Sequence, residues 1–173
     1  MRDIIFEYKE LLAQKIEIEQ KLSVLPKGYI SKKTIGGKQY LYLQTRNGDT
    51  VESKYIKTEE VDEITKQISL RKEYEAELPE VILRLADIET AAELLDKALL
   101  RKLKMLKLTS GMDSISVEEK EKRISFSDAM TSIEGVTVSD RVKKDLANWE
   151  NGNITFLSVF EQTLRRYGFV TEV

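Results

Sequence analysis

The stretch that decides the fold runs from Leu25 to Lys57 and reads LPKGYISKKTIGGKQYLYLQTRNGDTVESKYIK. Polar and apolar residues alternate along it, which is the pattern of β-strands. Two short turn sequences, Gly36-Gly37 and Asn47-Gly48, divide it into three runs. The sequence therefore predicts a three-stranded antiparallel β-meander within residues 25–57, with strands at 29–35, 38–46 and 50–57.

The middle strand of this meander defines two faces, because side chains alternate along a strand. Tyr40, Tyr42 and Gln44 belong to one face, and Leu41 and Leu43 belong to the other. A sheet this small needs a partner to be stable, so one face must pack on a helix. Both faces carry large side chains, and the sequence leaves open which one is buried.

Amphipathic helices are predicted on both sides of the meander. Apolar residues recur at three- and four-residue spacing from residue 2 to 24, where Pro26 ends the pattern, and again from 61 to 78. Pro79 is expected to begin a new helix, the longest of the chain, over residues 80–108. The expected arrangement is a helical hairpin with the meander at its tip, followed by this long helix.

Residues 109–116 are rich in small polar side chains and are the predicted linker between two domains, 1–108 and 117–173. Capping signals at Ser116, Ser139 and Thr155 predict three short helices in the second domain. Its core is expected to contain four aromatic residues, Trp149, Phe156, Phe160 and Tyr167. The predicted fold class is mainly α with a small β-meander: a helical hairpin, a long helix and a three-helix unit.

The composition excludes several kinds of chemistry. The 173 residues include no Cys and no His, which excludes thiol nucleophiles, thiolate or imidazole metal ligands and His-dependent triads. Scattered acids in a chain with 30 Asp and Glu are usually solvated. We therefore expect no enzyme activity, no cofactor and no metal. No apolar run is long enough for a membrane span, and we expect a cytoplasmic protein.

The meander is strongly basic, since residues 27–57 contain seven basic and two acidic side chains while the whole chain has a net charge of −2. Two interpretations fit this pattern. In the first, the tyrosines stack on bases and the lysines bind phosphates. In the second, the tyrosines fill the contact between sheet and helix while the lysines keep the strand edges soluble. The residues proposed for nucleic-acid binding are Lys32, Lys33, Lys38, Tyr40, Tyr42 and Lys54, with Tyr55 as a further stacking residue.

Residues 25–56 resemble a module of uncharacterised proteins from Gram-positive bacteria and their mobile elements. That module has the form LPKGxIxxKxIxGKxYYYLQxRxGxxVxSKYI, which this chain follows nearly throughout. The resemblance implies a recurring helix–meander–helix unit and no particular activity.

The C-terminal part resembles a second family. Its sequence AMTSIEG at 129–135, then ENGNIT at 150–155 and a helix ending near Tyr167, is similar to the VbhA-type antitoxins that restrain Fic-domain toxins. In that family a glutamate in the pattern Ser/Thr-x-x-x-Glu-Gly/Asn pairs with a toxin arginine that otherwise holds the ATP γ-phosphate. Glu134 and Gly135 match the end of this pattern, and its Ser/Thr position falls on Met130, with Thr131 and Ser132 next to it.

The resemblance implies a non-enzymatic, antitoxin-like regulator of mobile-element origin that inhibits a Fic-type, AMP-transferring toxin by protein–protein contact through Glu134. A nucleic-acid-binding protein, or an inhibitor of a mobile element or phage that uses the meander, is the alternative. A coiled-coil protein that forms homo-oligomers through its helices is a third interpretation.

Overall fold

The computed structural model describes residues 4–168, which form six α-helices and one three-stranded sheet. The prediction of a mainly α-helical protein with a small antiparallel meander is confirmed. The described chain forms two units, residues 14–84 and residues 4–13 with 85–168. The elements in chain order are α1 (Ile4–Val24), β1 (Tyr29–Ile35), β2 (Lys38–Asn47), β3 (Thr50–Ile56), α2 (Val61–Leu95), α3 (Lys97–Thr109), α4 (Val117–Ile133), α5 (Asp140–Glu150) and α6 (Phe156–Arg166).

The sheet of the unit 14–84 has strand order β1-β2-β3 with both pairs antiparallel. Leu41 pairs with Ile56 and Leu43 pairs with Ile30, so these apolar residues share one face. Ile56 is only 2 % exposed. A cavity of about 490 Å³ separates this leucine face from the first turns of α2 and is lined by Leu43, Ile56, Ile64 and Gln67, among others. The leucine face is therefore the one directed at a helix.

Arg71 of α2 fixes the end of α1 within the same unit. Its Nη1 donates to the carbonyls of Leu22 (2.6 Å) and Leu25 (2.8 Å), and its Nε donates to Glu75 Oε1 (2.7 Å). The last carbonyls of a helix have no partner within the helix, and a positive charge there is favourable. This buried arginine therefore explains how α1 ends just before Pro26 and the meander.

The predicted helix boundary at Pro79 is wrong. Helix α2 runs without interruption from Val61 to Leu95, and Pro79 lies inside it. Proline disfavours a helix interior, but buried Ile68 and Val81 on either side of it fix the helix by tertiary packing. The actual break is at Asp96, whose backbone is extended. Its side-chain Oδ1 caps α3 by accepting from the Ala98 N–H at 2.8 Å.

Asp113 organises the C-terminal helices of the other unit. One oxygen, Oδ1, accepts from Trp149 Nε1 at 2.8 Å and from the Phe156 N–H at the start of α6 at 2.7 Å. Trp149 is 1 % exposed, and the centroids of the Trp149 and Phe156 rings are 4.7 Å apart. Asp113 belongs to the predicted linker, and the proposed division of the chain at residues 109–116 stays a prediction.

The other C-terminal predictions have mixed outcomes. Ser116 and Thr155 cap α4 and α6 with their side chains, as expected. Ser139 occupies the capping position of α5 but makes no side-chain hydrogen bond there. The placement of Tyr167 in the core is wrong, since it follows the last turn of α6 and is 63 % exposed. The predicted start of α1 at Arg2 and the end of the C-terminal unit lie outside the described residues.

Candidate functional sites

Four of the seven tyrosines of the chain lie on one face of the sheet. The register places Tyr42 opposite Tyr55 and Tyr29 opposite Gln44, and Tyr40 lies two residues before Tyr42 on β2. Paired residues of antiparallel strands point to the same side. We call this surface the tyrosine face, and it is the side opposite the leucine face. Its remaining strand residues are Ser31, Lys33, Ile35, Lys38, Gln44, Arg46, Val51 and Ser53.

Tyr55 contacts two of the other tyrosine rings, and Tyr29 and Tyr55 are the two tyrosines of this face that are exposed to solvent. The Tyr55 ring lies edge-on to Tyr42 and Tyr40, with centroid distances of 5.8 and 6.2 Å. Tyr29 donates its hydroxyl to Gln44 Oε1 at 2.5 Å. Tyr29 and Tyr55 keep 58 % and 52 % of their surface exposed. Large exposed aromatic residues clustered on a sheet are a typical feature of a binding surface.

Lys33 lies in the middle of this cluster. Its Nζ is 4.8 Å from the centroid of the Tyr42 ring and 3.4 Å from Ser53 Oγ on β3. Lys38 and Arg46 add two further cations, and none of the strand residues on this face is acidic. Glu52, the acid of β3, pairs with Thr45 and belongs to the leucine face. The tyrosine face is therefore uniformly positive.

The structure brings together some of the residues proposed for nucleic-acid binding and separates others. Lys33, Lys38, Tyr40 and Tyr42 share the tyrosine face, as does Tyr55. Lys32 and Lys54 pair with leucines of β2 and lie on the opposite face. Sequence reasoning omitted Tyr29 and Arg46. Alternation along β2 places Arg46 on the face of Tyr40 and Tyr42, and the register across the Gly36-Gly37 turn places Tyr29 there as well.

A second candidate site is the C-terminal end of α4. Glu134 is the last residue with near-helical backbone, and Gly135 follows in the left-handed conformation with φ 72°. The Gly135 N–H donates to the Ser132 carbonyl at 3.1 Å, and the Val136 N–H donates to the Thr131 carbonyl at 2.8 Å. These two bonds form a Schellman motif, which ends the helix directly after Glu134.

The hydroxyls next to Glu134 are hydrogen-bonded to the helix backbone, whereas the Glu134 carboxylate is not. The Thr131 hydroxyl donates to the carbonyls of Ser127 and Asp128, and the Ser132 hydroxyl donates to the Asp128 carbonyl at 2.7 Å. Glu134 is exposed, and within residues 4–168 its carboxylate has no ion pair or hydrogen bond. An acid at this end of a helix is mildly unfavourable, so its carboxylate is available to an external cation.

An apolar stripe on α4 leads up to this carboxylate. Phe126, Met130 and Ile133 follow one another at four- and three-residue spacing, which places them on one face of the helix. They are 69 %, 43 % and 80 % exposed. The opposite side of α4 faces the unit's interior, where Lys120 is buried and donates to the Trp149 carbonyl at 3.2 Å. Sequence analysis missed this stripe because apolar residues occur on both sides of α4.

Two other kinds of site are absent from the described part of the chain. In residues 4–168, no three acidic side chains come close enough together to hold a metal ion. No helix in that range combines the length and the apolar character needed to cross a bilayer.

The fold and its two surfaces define a helical protein with a small, basic, tyrosine-bearing sheet. A family model described as a domain of unknown function, DUF6788, matches residues 8–66 of this chain. The matched segment includes most of α1, the whole meander and the start of α2, and its description states no activity. Comparison with curated proteins and with solved structures gives no match.

Proposed function

We propose that this chain is a non-enzymatic, antitoxin-like regulator of mobile-element origin that acts in the cytoplasm by protein–protein contact. Its partner is a Fic-type, AMP-transferring toxin, and Glu134 is the inhibitory residue. The observation that supports this proposal is the exposed stripe of Phe126, Met130 and Ile133, which ends beside an unpaired carboxylate. The resemblance of residues 117–168 to VbhA-type antitoxins supports it independently.

The proposed mechanism uses the two parts of α4 differently. The apolar stripe packs in a groove of the toxin, in the manner of helices that bind through residues at i, i+4 and i+7. This docking brings the Glu134 carboxylate to the toxin's nucleotide site, where it pairs with an arginine. A guanidinium binds carboxylates and phosphates through the same two parallel hydrogen bonds, so Glu134 takes the arginine away from the γ-phosphate.

Two variants separate binding from inhibition. Phe126→Ser should lose the complex, because an exposed apolar anchor contributes to the interface and little to folding. Glu134→Gln should retain the complex, since the stripe is intact, yet release AMP transfer, because removing one partner of a desolvated charge pair costs about 2–5 kcal/mol. The measurements, made with a Fic-domain toxin as the partner, are co-purification of the two proteins and AMP transfer by the toxin to a target.

Glu121→Gln is the matched control, because Glu121 is also an exposed acid of α4 and lies away from its end. It should inhibit as the wild type does. All three variants should keep their thermal unfolding midpoint within about 2 °C, as expected of surface changes of about 0.5 kcal/mol. Full inhibition by Glu134→Gln would refute the role of Glu134, and binding by Phe126→Ser would refute the role of the stripe.

A second candidate function is nucleic-acid binding by the tyrosine face. The observation in its favour is the combination of four tyrosines and three cations on a face without acidic strand residues. Steep loss of retention on nucleic acid with rising salt would support this function, because phosphate contacts release counterions.

Self-association is a further proposal for the helices. Leu94 and Leu95 near the end of α2 are both 82 % exposed, which is unusual for adjacent leucines. Light scattering across a concentration series should detect an oligomer, and Leu94→Ser should lower its mass if these residues form the contact.

A further inference from the structure

We infer that the tyrosine face binds single-stranded nucleic acid, with bases stacked on Tyr29 and Tyr55 and a phosphate bound by Lys33 between them. This inference rests on the second candidate function and names its ligand class. The positions of the rings, the position of the cation and the stacking of bases within a duplex support it.

The two exposed rings are placed to contact separate bases. Tyr29 is on β1 and Tyr55 is on β3, so two inter-strand spacings, roughly 10 Å in all, separate their strands. Each ring has a partner on the sheet, Tyr29 the Gln44 side chain and Tyr55 the rings of Tyr40 and Tyr42. Rings that are held and half open lose little freedom when a base stacks on them.

Lys33 supplies a cation between these rings. It starts on β1 and extends across β2 above Tyr42 to reach Ser53 on β3. Its ammonium therefore lies inside the aromatic cluster and not at its edge. A strand whose bases stack on Tyr29 and Tyr55 brings its backbone over this ammonium, with Lys38 and Arg46 as further cations on the same face.

Stacking distinguishes a single strand from a duplex on this face. Gln44 Oε1 accepts from the Tyr29 hydroxyl, and Arg46 Nε donates to the Gly48 carbonyl at 3.2 Å. Both side chains are therefore held beside the rings, while the Gln44 Nε2 and Arg46 Nη groups remain for a ligand. Bases in a duplex stack on one another, so their faces are closed to tyrosine rings, whereas unpaired bases are open. These observations favour the single strand.

The experiment compares neighbouring lysines of β1 that point to opposite faces. Fluorescence anisotropy of the full chain is measured with a labelled oligothymidylate of twelve nucleotides and with a DNA hairpin duplex, at several salt concentrations. Lys33→Gln should weaken single-strand binding and reduce the slope of log K against log salt by about 0.7, the value for one phosphate contact on a single strand. Lys32→Gln removes the same charge from the leucine face and should retain the wild-type slope.

Tyr29→Leu and Tyr55→Leu test the stacking. Each should weaken single-strand binding by roughly 5- to 150-fold, the range typical of the loss of one stacked base, with an unchanged circular dichroism spectrum. Tyr74→Leu, on α2, is the control and should bind as the wild type does. Equal or tighter binding of the duplex would overturn the single-strand inference and leave nucleic-acid binding standing. Equal effects of Lys32→Gln and Lys33→Gln would overturn the assignment to this face, and no binding of either DNA would overturn the second candidate function as well.

Discussion

At the scale of single residues, Gly28 shows how the backbone before β1 is fixed to the sheet. Its φ is +106°, and a Cβ added there would lie 2.0 Å from the Gln44 carbonyl oxygen of β2. The Thr45 hydroxyl, next to Gln44 on β2, donates to the Lys27 carbonyl at 3.0 Å and also holds the backbone before β1 against β2. Only glycine fits this position, both for its backbone conformation and for the space available.

We predict that Gly28→Ala lowers the free energy of unfolding by roughly 2–4 kcal/mol, from strained backbone and a clash with β2. Gly37→Ala is the matched control, because Gly37 also has a positive φ, +76°, but no atom lies within 4 Å of an added Cβ. It should cost only about 1–2 kcal/mol for the backbone conformation. Urea unfolding followed by circular dichroism measures both, and equal losses would show that the clash is relieved at no cost.

At the scale of elements, the meander could be predicted from sequence and the course of α2 could not. The strands depend on local signals, the glycine turns and the alternation, and the predicted bounds agree within a residue. Continuity of a helix through Pro79 depends on buried residues elsewhere, which local patterns do not contain. Likewise, both sheet faces carry large side chains, so sequence could not decide that Tyr29 and Tyr55 would be exposed while Ile56 on the other face is buried. The exposed stripe of α4 was missed for the same reason.

The interior position of Pro79 leads to a prediction for α2. Proline lacks the N–H that would bond the Glu75 carbonyl and costs about 3 kcal/mol relative to alanine inside a helix. Pro79→Ala should therefore stabilise the protein by about 1–3 kcal/mol. The exposed neighbour Glu80 gives the control, since Glu80→Ala should change stability by less than about 0.5 kcal/mol. A lower unfolding midpoint for Pro79→Ala would mean that a bend at this site contributes to packing.

At the scale of the whole molecule, positive charge is concentrated in the meander. Residues 27–57, with seven basic and two acidic side chains, have a net charge of +5 within a chain whose net charge is −2, so the remaining sequence has a net charge of −7. Charge of this kind affects partners and solubility more than fold. Inside the unit formed by residues 4–13 and 85–168, Glu89 is, like Asp113, an acid whose carboxylate holds other side chains in place. Glu89 Oε1 accepts from the Tyr8 hydroxyl at 2.6 Å and from Lys107 Nζ at 2.7 Å.

This group makes stability depend on pH. Burial alone would raise the pKa of Glu89, but hydrogen bonds from Lys107 and Tyr8 and the charges of Lys107 and Lys104 outweigh it, so the pKa lies below its usual 4.5. The pKa of Tyr8 is raised by burial and by Glu89. A carboxyl whose pKa is lower in the folded state stabilises the protein above its unfolded pKa, and this contribution is lost as the pH falls through the folded value.

We therefore predict that Glu89→Gln lowers stability at pH 7 by about 1 kcal/mol, a modest figure because half-exposed Lys107 is screened by solvent. As the pH is lowered from 7 toward 3, the wild-type carboxylate is progressively protonated, and the difference between the two proteins should shrink. Urea unfolding at both pH values measures the free energy of unfolding of each protein. The difference between the two proteins cancels the contributions of the acids that both contain. Glu93→Gln, one turn later on α2 and exposed, should change stability by less than about 0.5 kcal/mol at either pH. The stability difference between wild type and Glu89→Gln could instead stay constant or grow toward pH 3. That result would show that Tyr8 and Lys107 do not stabilise the ionised Glu89 carboxylate.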